Sequence, residues 1–288
     1  MRVVRDPAEL ETRPRAVAVG TFDGVHLGHR RVLEAAVAAE QTSTVVTFDP
    51  HPRLALGYGV ETLTTLERRL ELIGGIGVED ALVVEFDLTV AQLGPEAFAD
   101  LALRPIGAEV VVAGTNFRFG RGRSGDLPLL GRLAFDVRPI PLVEGVSSSR
   151  IRDLLRGGEV EGAARLLGRP PEIEGTVVVG DARGGTLGFP TANLRPPPDL
   201  LVPGYGIYAG AVEGRRAAVS IGTNPHYGGG ERRIEAFLLD FAGDLYGRRL
   251  VLELWQRLRD EQAFESEEEL IAQIARDVEA TRRAEPPT

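Results

Sequence analysis

The chain has 288 residues, 33 basic against 42 acidic side chains and 43% hydrophobic residues, enough to bury one large core or two ordinary ones without covalent staples. It has no cysteine, and every basic residue is arginine; this excludes disulfides, thiolate metal sites and cysteine nucleophiles, as well as a Schiff-base lysine, a Walker-A loop and the ATP lysine of protein kinases. A net charge of −9 argues against a nucleic-acid-coating protein, and without a bilayer-length apolar run or a signal peptide in Met1–Arg15, a soluble, cytoplasmic chain is expected.

From residue 16 short apolar runs alternate with helical patterns. Ala16–Gly20 predicts a buried strand, and His29–Glu40 a helix with Val32, Leu33, Ala36 and Val37 on one side. A strand over Thr44–Phe48 is followed by a helix over Leu66–Ile73, closed by Gly74-Gly75. Ala81–Phe86 and Glu109–Ala113 are further strands, with a helix over Pro95–Leu103 between them. Continuous apolar strands between helices predict a doubly wound α/β domain, its parallel sheet covered on both faces. Ser148–Arg156 and Glu159–Leu167 form a short helical pair before a break at Arg169-Pro170-Pro171.

Beyond that break the pattern turns β-like, with strands over Gly175–Val179, Tyr205–Val212, Arg216–Ile221, Ile234–Asp240 and Arg249–Leu258. Glycine- and proline-rich turns between them predict a small antiparallel barrel. A helix starts at Ser266, with Glu269 completing a capping box, and a frayed tail is expected after Thr281. The expected domains are 1–168 and 172–288.

The turn Gly20-Thr21-Phe22-Asp23-Gly24-Val25-His26-Leu27-Gly28-His29 joins the first strand to the first helix, where open α/β sheets bind ligands. Gly24 and Gly28 allow close backbone approach to a phosphate, and a helix N-terminus offers free N–H groups. His26 and His29, three apart, can face one anion. With no lysine, phosphate chemistry falls to backbone N–H groups, Arg, His and a metal ion. Two alternatives stand beside a nucleotide site: surface histidines, or the start of a metal site to which Asp23 would contribute.

The H-x-G-H turn resembles the adenylyltransferase superfamily. The longer string, followed by Thr47-Phe48-Asp49-Pro50-His51-Pro52, Gly114-Thr115-Asn116-Phe117-Arg118-Phe119-Gly120 and Ser147-Ser148-Ser149-Arg150-Ile151-Arg152, resembles the prokaryotic bifunctional riboflavin kinase/FAD synthetase family. That resemblance implies a Rossmann-like nucleotidyltransferase domain that adenylylates FMN with ATP, releasing pyrophosphate. His26 and His29 would stabilise the ATP phosphates within a loop that includes Gly20, Phe22, Asp23 and Gly28. Arg152 and Arg150 would meet the phosphates from the other side, Asn116 would hold the nucleotide or its metal–phosphate assembly, and His51 and Pro52 would shape the neighbouring wall. Asp23 either orients a histidine or satisfies turn N–H groups. Arg118, Arg121 and Arg123 either close over phosphate or lie on a solvated loop.

In the second half, Thr191 and Asn193 are hard oxygen ligands two residues apart after a run of glycines, which suits Mg²⁺ shared with nucleotide phosphates. Gly188-Phe189-Pro190-Thr191-Ala192-Asn193 resembles the signature of riboflavin kinases. Ile221-Gly222-Thr223-Asn224-Pro225, Ile234–Phe241 and Asp244–Gly247 continue that resemblance. It implies Gly188, Thr191 and Asn193 at ATP and Mg²⁺, and Glu235 as the base for the riboflavin 5′-hydroxyl. The bland alternative for Glu235 is an outward-facing strand residue; Phe237 and Tyr246 read as packing. His226-Tyr227, where relatives carry Thr-Phe, and Gly185, where they carry Arg, put the efficiency of the kinase half in question. The expected function is riboflavin to FMN to FAD with two ATP; a monofunctional FAD synthetase and a non-catalytic flavin-binding or sensing protein are the alternatives. Its partners are then riboflavin, FMN and ATP, with no nucleic acid and no membrane; a weak homo-oligomer stays open.

Overall fold

The computed structural model describes residues 1–180, 189–223 and 232–287, which fall into two compact units. The first comprises Met1–Thr62 and Leu66–Ser147. Its strands are β1 (Arg2–Val4), β2 (Arg15–Val19), β3 (Thr42–Asp49), β4 (Asp80–Glu85), β5 (Ala108–Gly114) and β6 (Asp136–Ile140). Its helices are α1 (Leu27–Val37), α2 (Pro52–Ala55), α3 (Leu66–Ile76), α4 (Leu88–Ala91), α5 (Pro95–Ala102) and α6 (Leu127–Arg132).

The sheet is parallel throughout, in the order β1-β4-β3-β2-β5-β6. Along β2 every residue is buried, and successive side chains go to opposite faces. Ala16 and Ala18 join Val32, Leu33 and Ala36 of α1 and Ile73 of α3. Val17 and Val19 join Phe98, Ala99 and Ala102 of α5. Both faces are covered, which is why the strands read as unbroken apolar runs. The chain steps from β2 to β3 and β4 on one side and then returns to β5 and β6 on the other. The order therefore reverses between β2 and β5, and the carboxyl ends of strands at such a reversal are where open α/β sheets bind ligands.

At the opposite edge, Arg15 is 1% exposed and fully paired. It meets Asp80 at 2.5 Å, donates to Thr44 Oγ1 at 2.9 Å and to the Ile106 carbonyl at 2.8 Å, and reaches the Glu11 carbonyl at 3.1 Å.

The second unit comprises Leu63–Thr65 and Ser148–Thr288. It opens with α7 (Ser148–Arg156) and α8 (Val160–Leu167) and continues with β7 (Glu172–Val178), β8 (Ala192–Arg195), β9 (Gly206–Val212), β10 (Arg215–Thr223), β11 (Arg232–Leu238), β12 (Arg249–Arg259) and α9 (Glu267–Arg283). The six strands close a barrel in the order β10-β11-β8-β7-β12-β9, every pair antiparallel. The α/β sheet and the barrel with its C-terminal helix match the fold class expected from sequence.

Several boundaries differ from those expected. The helical pair does not belong with the α/β core: Ile151, Leu155, Val160, Ala163 and Leu167 are buried in one cluster with barrel residues such as Tyr208, Leu252 and Leu254. The division therefore falls at Ser147, ahead of the Arg-Pro-Pro break. Helix α3 runs through Gly74 and Gly75 to Ile76, and Gly77, with φ 108°, ends it. The tail is docked rather than frayed: Ala284 is buried with Ala209, Ala211 and Trp255, and Arg216 donates to the carbonyls of Thr281 and Ala284. Ser266 caps α9 by accepting from the Glu269 N–H, while the Glu269 carboxylate accepts from Glu265 N. No helix among the described residues is long and apolar enough to cross a membrane.

Candidate functional site

Within the first unit, the turn after β2 lies at the carboxyl edge where the strand order reverses. Its backbone is strained: Phe22 and Val25 hold φ of 51° and 40°, uncommon for a non-glycine residue and a marked outlier for β-branched Val25. Gly24, at φ 83°, supplies the one turn position where glycine's freedom is required. Asp23 is buried within the turn, at 1% exposure. Gly20 has no Cβ because one would stand 3.2 Å from the Phe22 ring.

His26 is the N-cap of α1, and its Nδ1 accepts the His29 N–H at 3.2 Å. That hydrogen bond fixes the tautomer, since an accepting Nδ1 leaves the proton of a neutral ring on Nε2. The two imidazoles stack with centroids 3.6 Å apart and planes 14° apart. The Phe22 ring meets His29 edge-on at 5.4 Å. The structure gives Gly28 a nearer role than phosphate approach: a Cβ there would lie 3.2 Å from His26 Cε1 and 3.3 Å from Nδ1. Glycine at this position lets the His26 ring fold back onto the helix end.

His29 Nδ1 is buried with no hydrogen-bond partner among the described residues. Burial pulls the His29 ring well below its usual value, and the neighbouring His26 and Arg69 charges push the same way. At neutral pH the ring is uncharged and holds a polar nitrogen in reserve for a ligand.

Sequence reasoning missed Arg69. It is 4% exposed on α3 and donates to the carbonyls of Thr21 at 2.8 Å and Phe48 at 2.9 Å. The signal was present: Leu66, Arg69, Leu70 and Ile73 follow the spacing of a buried helix face, with a cation in an apolar stripe.

The remaining first-site candidates lie on loops, on the short α2 with its cap, and on α7. Asn116 is exposed in the turn after β5, the other strand at the reversal, and its Oδ1 lies close over Gly114. His51 caps the short helix that begins at Pro52, accepting the Arg53 N–H at 3.1 Å. Arg118 pairs with Asp126 at 3.4 Å, while Arg121 and Arg123 are exposed. Arg150 and Arg152 lie on α7 of the second unit, the former exposed and the latter buried.

In the barrel, Ile234 and Ala236 point into the core, so Glu235 faces outward. It does not stand alone there. Asn193 is its direct cross-strand partner, and Thr191 Oγ1 lies 3.4 Å from Glu235 Oε2. Three oxygen-bearing side chains thus share one patch, joined by Ser220 opposite Glu235 on β10. Gly180 makes room for Asn193, since a Cβ there would overlap the amide. Phe237, two residues along the same face, meets Phe189 edge-on at 5.4 Å, and Tyr246 is exposed. Gly185, Gly188 and His226 lie outside the described residues. One carboxylate, a hydroxyl and an amide fit a hard divalent cation that arrives with phosphates and keeps its waters. Among the described residues no cluster of three His, Asp or Glu forms a closed metal cage.

Comparisons with known proteins agree in both halves. A family model described as FAD synthetase matches residues 8–150, and one described as riboflavin kinase matches 167–284. A bifunctional riboflavin kinase/FMN adenylyltransferase of Listeria monocytogenes is 37% identical, covering 93% of this chain and 91% of the relative. The protein of the same name from Escherichia coli K12 is 36% identical, with 96% of each covered. A solved structure from Streptococcus pneumoniae, described as a macrolide-efflux protein, superposes with a TM-score of 0.86 at 31% identity, covering 98% of both chains.

Proposed function

The chain belongs to the bifunctional riboflavin kinase/FMN adenylyltransferase family, and from that premise we propose how its residues divide the two reactions. The enzyme phosphorylates riboflavin to FMN and adenylylates FMN to FAD. Both reactions use ATP and require a divalent cation, which in this reading is Mg²⁺. The cytoplasm, which supplies ATP, is its place of work. Its partners are these small molecules rather than nucleic acid.

In adenylyl transfer a phosphate oxygen of FMN forms a bond to the α-phosphorus of ATP as the bond to the β-phosphate oxygen breaks. The attacking group is already an anion, so the protein's task is to place two polyanions and stabilise the charge that shifts between them. His26 does this through Nε2–H, its Nδ1 being occupied by the helix backbone. His29 contributes a ring nitrogen that no other group among the described residues uses. Arg152 and Arg150 add positive charge, Asn116 holds the nucleotide, and His51 and Pro52 line the wall. Asp23 satisfies and stiffens the turn carrying Gly20, Phe22 and Gly28.

In phosphoryl transfer the riboflavin 5′-oxygen bonds to the γ-phosphorus, ADP leaves, and Glu235 takes the hydroxyl proton. Thr191 and Asn193 hold the cation-bearing phosphates, and Gly188 is assigned with them from its place in the sequence motif. When bound, the cation would screen the phosphate charge, and the Thr191 hydroxyl and Asn193 amide are the groups that would hold it.

The observation that carries this reading is the patch formed when Asn193 faces Glu235 across the ladder with Thr191 at 3.4 Å, in a unit that contains neither histidine of the first turn. The test is a pair of variants assayed for flavins by chromatography. His29→Ala is expected to abolish FAD formation from FMN and spare FMN formation from riboflavin, and Glu235→Ala to do the reverse. A His29→Ala enzyme that still makes FAD, or a Glu235→Ala enzyme that still makes FMN, overturns the corresponding assignment.

A further inference from the structure

A buried guanidinium is expensive, because desolvating a charge costs several kcal/mol unless a counter-charge and hydrogen bonds compensate it. Arg69 receives only part of that compensation. Its two terminal nitrogens donate to main-chain carbonyls, of Thr21 and Phe48, and its Nε is buried with no partner among the described residues. Asp23 and Asp49 act on it only through their charge, pulling against the burial that lowers its own value. An apolar side chain on this face of α3 would have packed at less cost. Something other than packing retains the cation.

Its two acceptors show what that is. Thr21 opens the strained turn that ends in His26, and Phe48 lies near the carboxyl end of β3, one strand over. The turn has a hydrogen bond of its own, from the Val25 N–H to the Phe22 carbonyl at 3.0 Å, yet Phe22 and Val25 hold unfavourable backbone angles that the surroundings must help to enforce. We propose that Arg69 is a positioning residue for adenylyl transfer: it braces the turn of Thr21–His26 against the end of β3 and so sets the stacked pair His26 and His29 for the ATP phosphates. The proposal rests on the assignment of that pair to ATP.

The charge of Arg69 has a second effect on the same pair. The groups that act on the His29 ring are His26 from its own turn and Arg69 from α3, while Asp23 and Asp49 act on Arg69. With both neighbours positive or polar and the ring buried, His29 stays neutral until an anion arrives. Arg69 does not touch the reacting atoms in this account; it acts through the turn and through the field on His29.

Arg69→Met and Arg69→Lys, with His29→Ala alongside, separate these roles in the full chain. Three quantities are read: kcat and KM for ATP in FAD formation from FMN, FMN formation from riboflavin, and the pH titration of the His29 ring by NMR with labelled histidine. Arg69→Met is expected to lower kcat for FAD formation about a hundredfold, the scale of an ångström-level misplacement, with a smaller change in KM, and to move the His29 titration to higher pH. Arg69→Lys is expected to restore the titration and most of kcat. FMN formation stays unchanged in both.

An Arg69→Met enzyme within threefold of the parent overturns the proposal, as does a Lys variant that matches Met in both rate and titration. If the Met variant does not fold, the Lys variant decides. A folded Lys enzyme with the parent's titration and at least a tenth of its kcat supports the positioning role, and one as inactive as His29→Ala ends it. If His29→Ala itself still makes FAD, the assignment of the pair has failed and the Arg69 proposal falls with it.

Discussion

The two edges of the parallel sheet each bury an arginine, and they treat it in opposite ways. At the amino edge Arg15 finds a carboxylate, a threonine hydroxyl and two carbonyls, so that Nε, Nη1 and Nη2 are all occupied. At the carboxyl edge Arg69 finds two carbonyls, and among the described residues its Nε has no partner. Around Arg15 the strands start without strain. Around Arg69 two non-glycine residues hold positive φ, and a histidine nitrogen lacks a partner among the described residues. One edge is satisfied by the protein itself; the other keeps unspent polar capacity for a ligand, as expected at the ligand-binding edge of such folds.

The largest effect that tests this contrast is on stability. Asp80→Ala leaves Arg15 buried without its counter-charge, and breaking a buried pair in this way costs about 3–5 kcal/mol. The urea midpoint is expected to fall accordingly, while FAD formation per folded molecule stays at the parent level. An Asp80 variant that folds stably yet loses FAD formation would falsify the division between the two edges.

The converse test is Gly28→Ala at the carboxyl edge. Alanine suits a helix better than glycine, by up to about 1 kcal/mol, and the φ here is not in the left-handed region that would oppose it. Its Cβ, however, would stand 3.2 Å from the His26 ring, which then has to shift by tenths of an ångström. FAD formation is expected to fall about tenfold, a loss of about 1.4 kcal/mol in transition-state stabilisation, with no loss of thermal stability. Unchanged FAD formation would mean that the placement of the His26 ring does not matter.

How much of this was legible in the sequence depends on the range of the interactions. The unbroken apolar run at Ala16–Val19 announced a strand covered on both faces, and the glycine-spaced histidines announced the turn, because both signals are local. Strand β6, with Pro139 and mostly exposed residues, carries no such pattern, since an edge strand can be polar and tolerate proline. The short β8 was hidden inside a loop motif, yet its pairing is what sets Asn193 opposite Glu235. The docked tail depends on Arg216, more than sixty residues away along the chain. Arg69 was passed over: its place in the apolar stripe of α3 is a local signal, but the carbonyls of Thr21 and Phe48 that it serves lie far away along the chain.

The smallest effect concerns pH, and it separates the two edges by titration alone. His29 is held below its usual value of 6.5 in the folded chain and returns to that value when unfolded. Between the two values the unfolded state binds a proton that the folded state refuses. Stability therefore rises with pH across that window and falls as the pH drops below about 6.5, by at most about 1.4 kcal/mol per pH unit for one proton. Carboxylates elsewhere add their own slope, so the measurement is the difference between parent and His29→Phe in urea midpoint at pH 6.5 and pH 5.5. The parent is expected to lose more stability over that unit than the variant, which lacks the titrating ring. Adding ATP should shrink the difference, because a polyanion beside the ring favours its protonated form and raises its value in the folded state. A difference that ATP leaves untouched would place the triphosphate away from His29, and the unpaired nitrogen would then need another ligand.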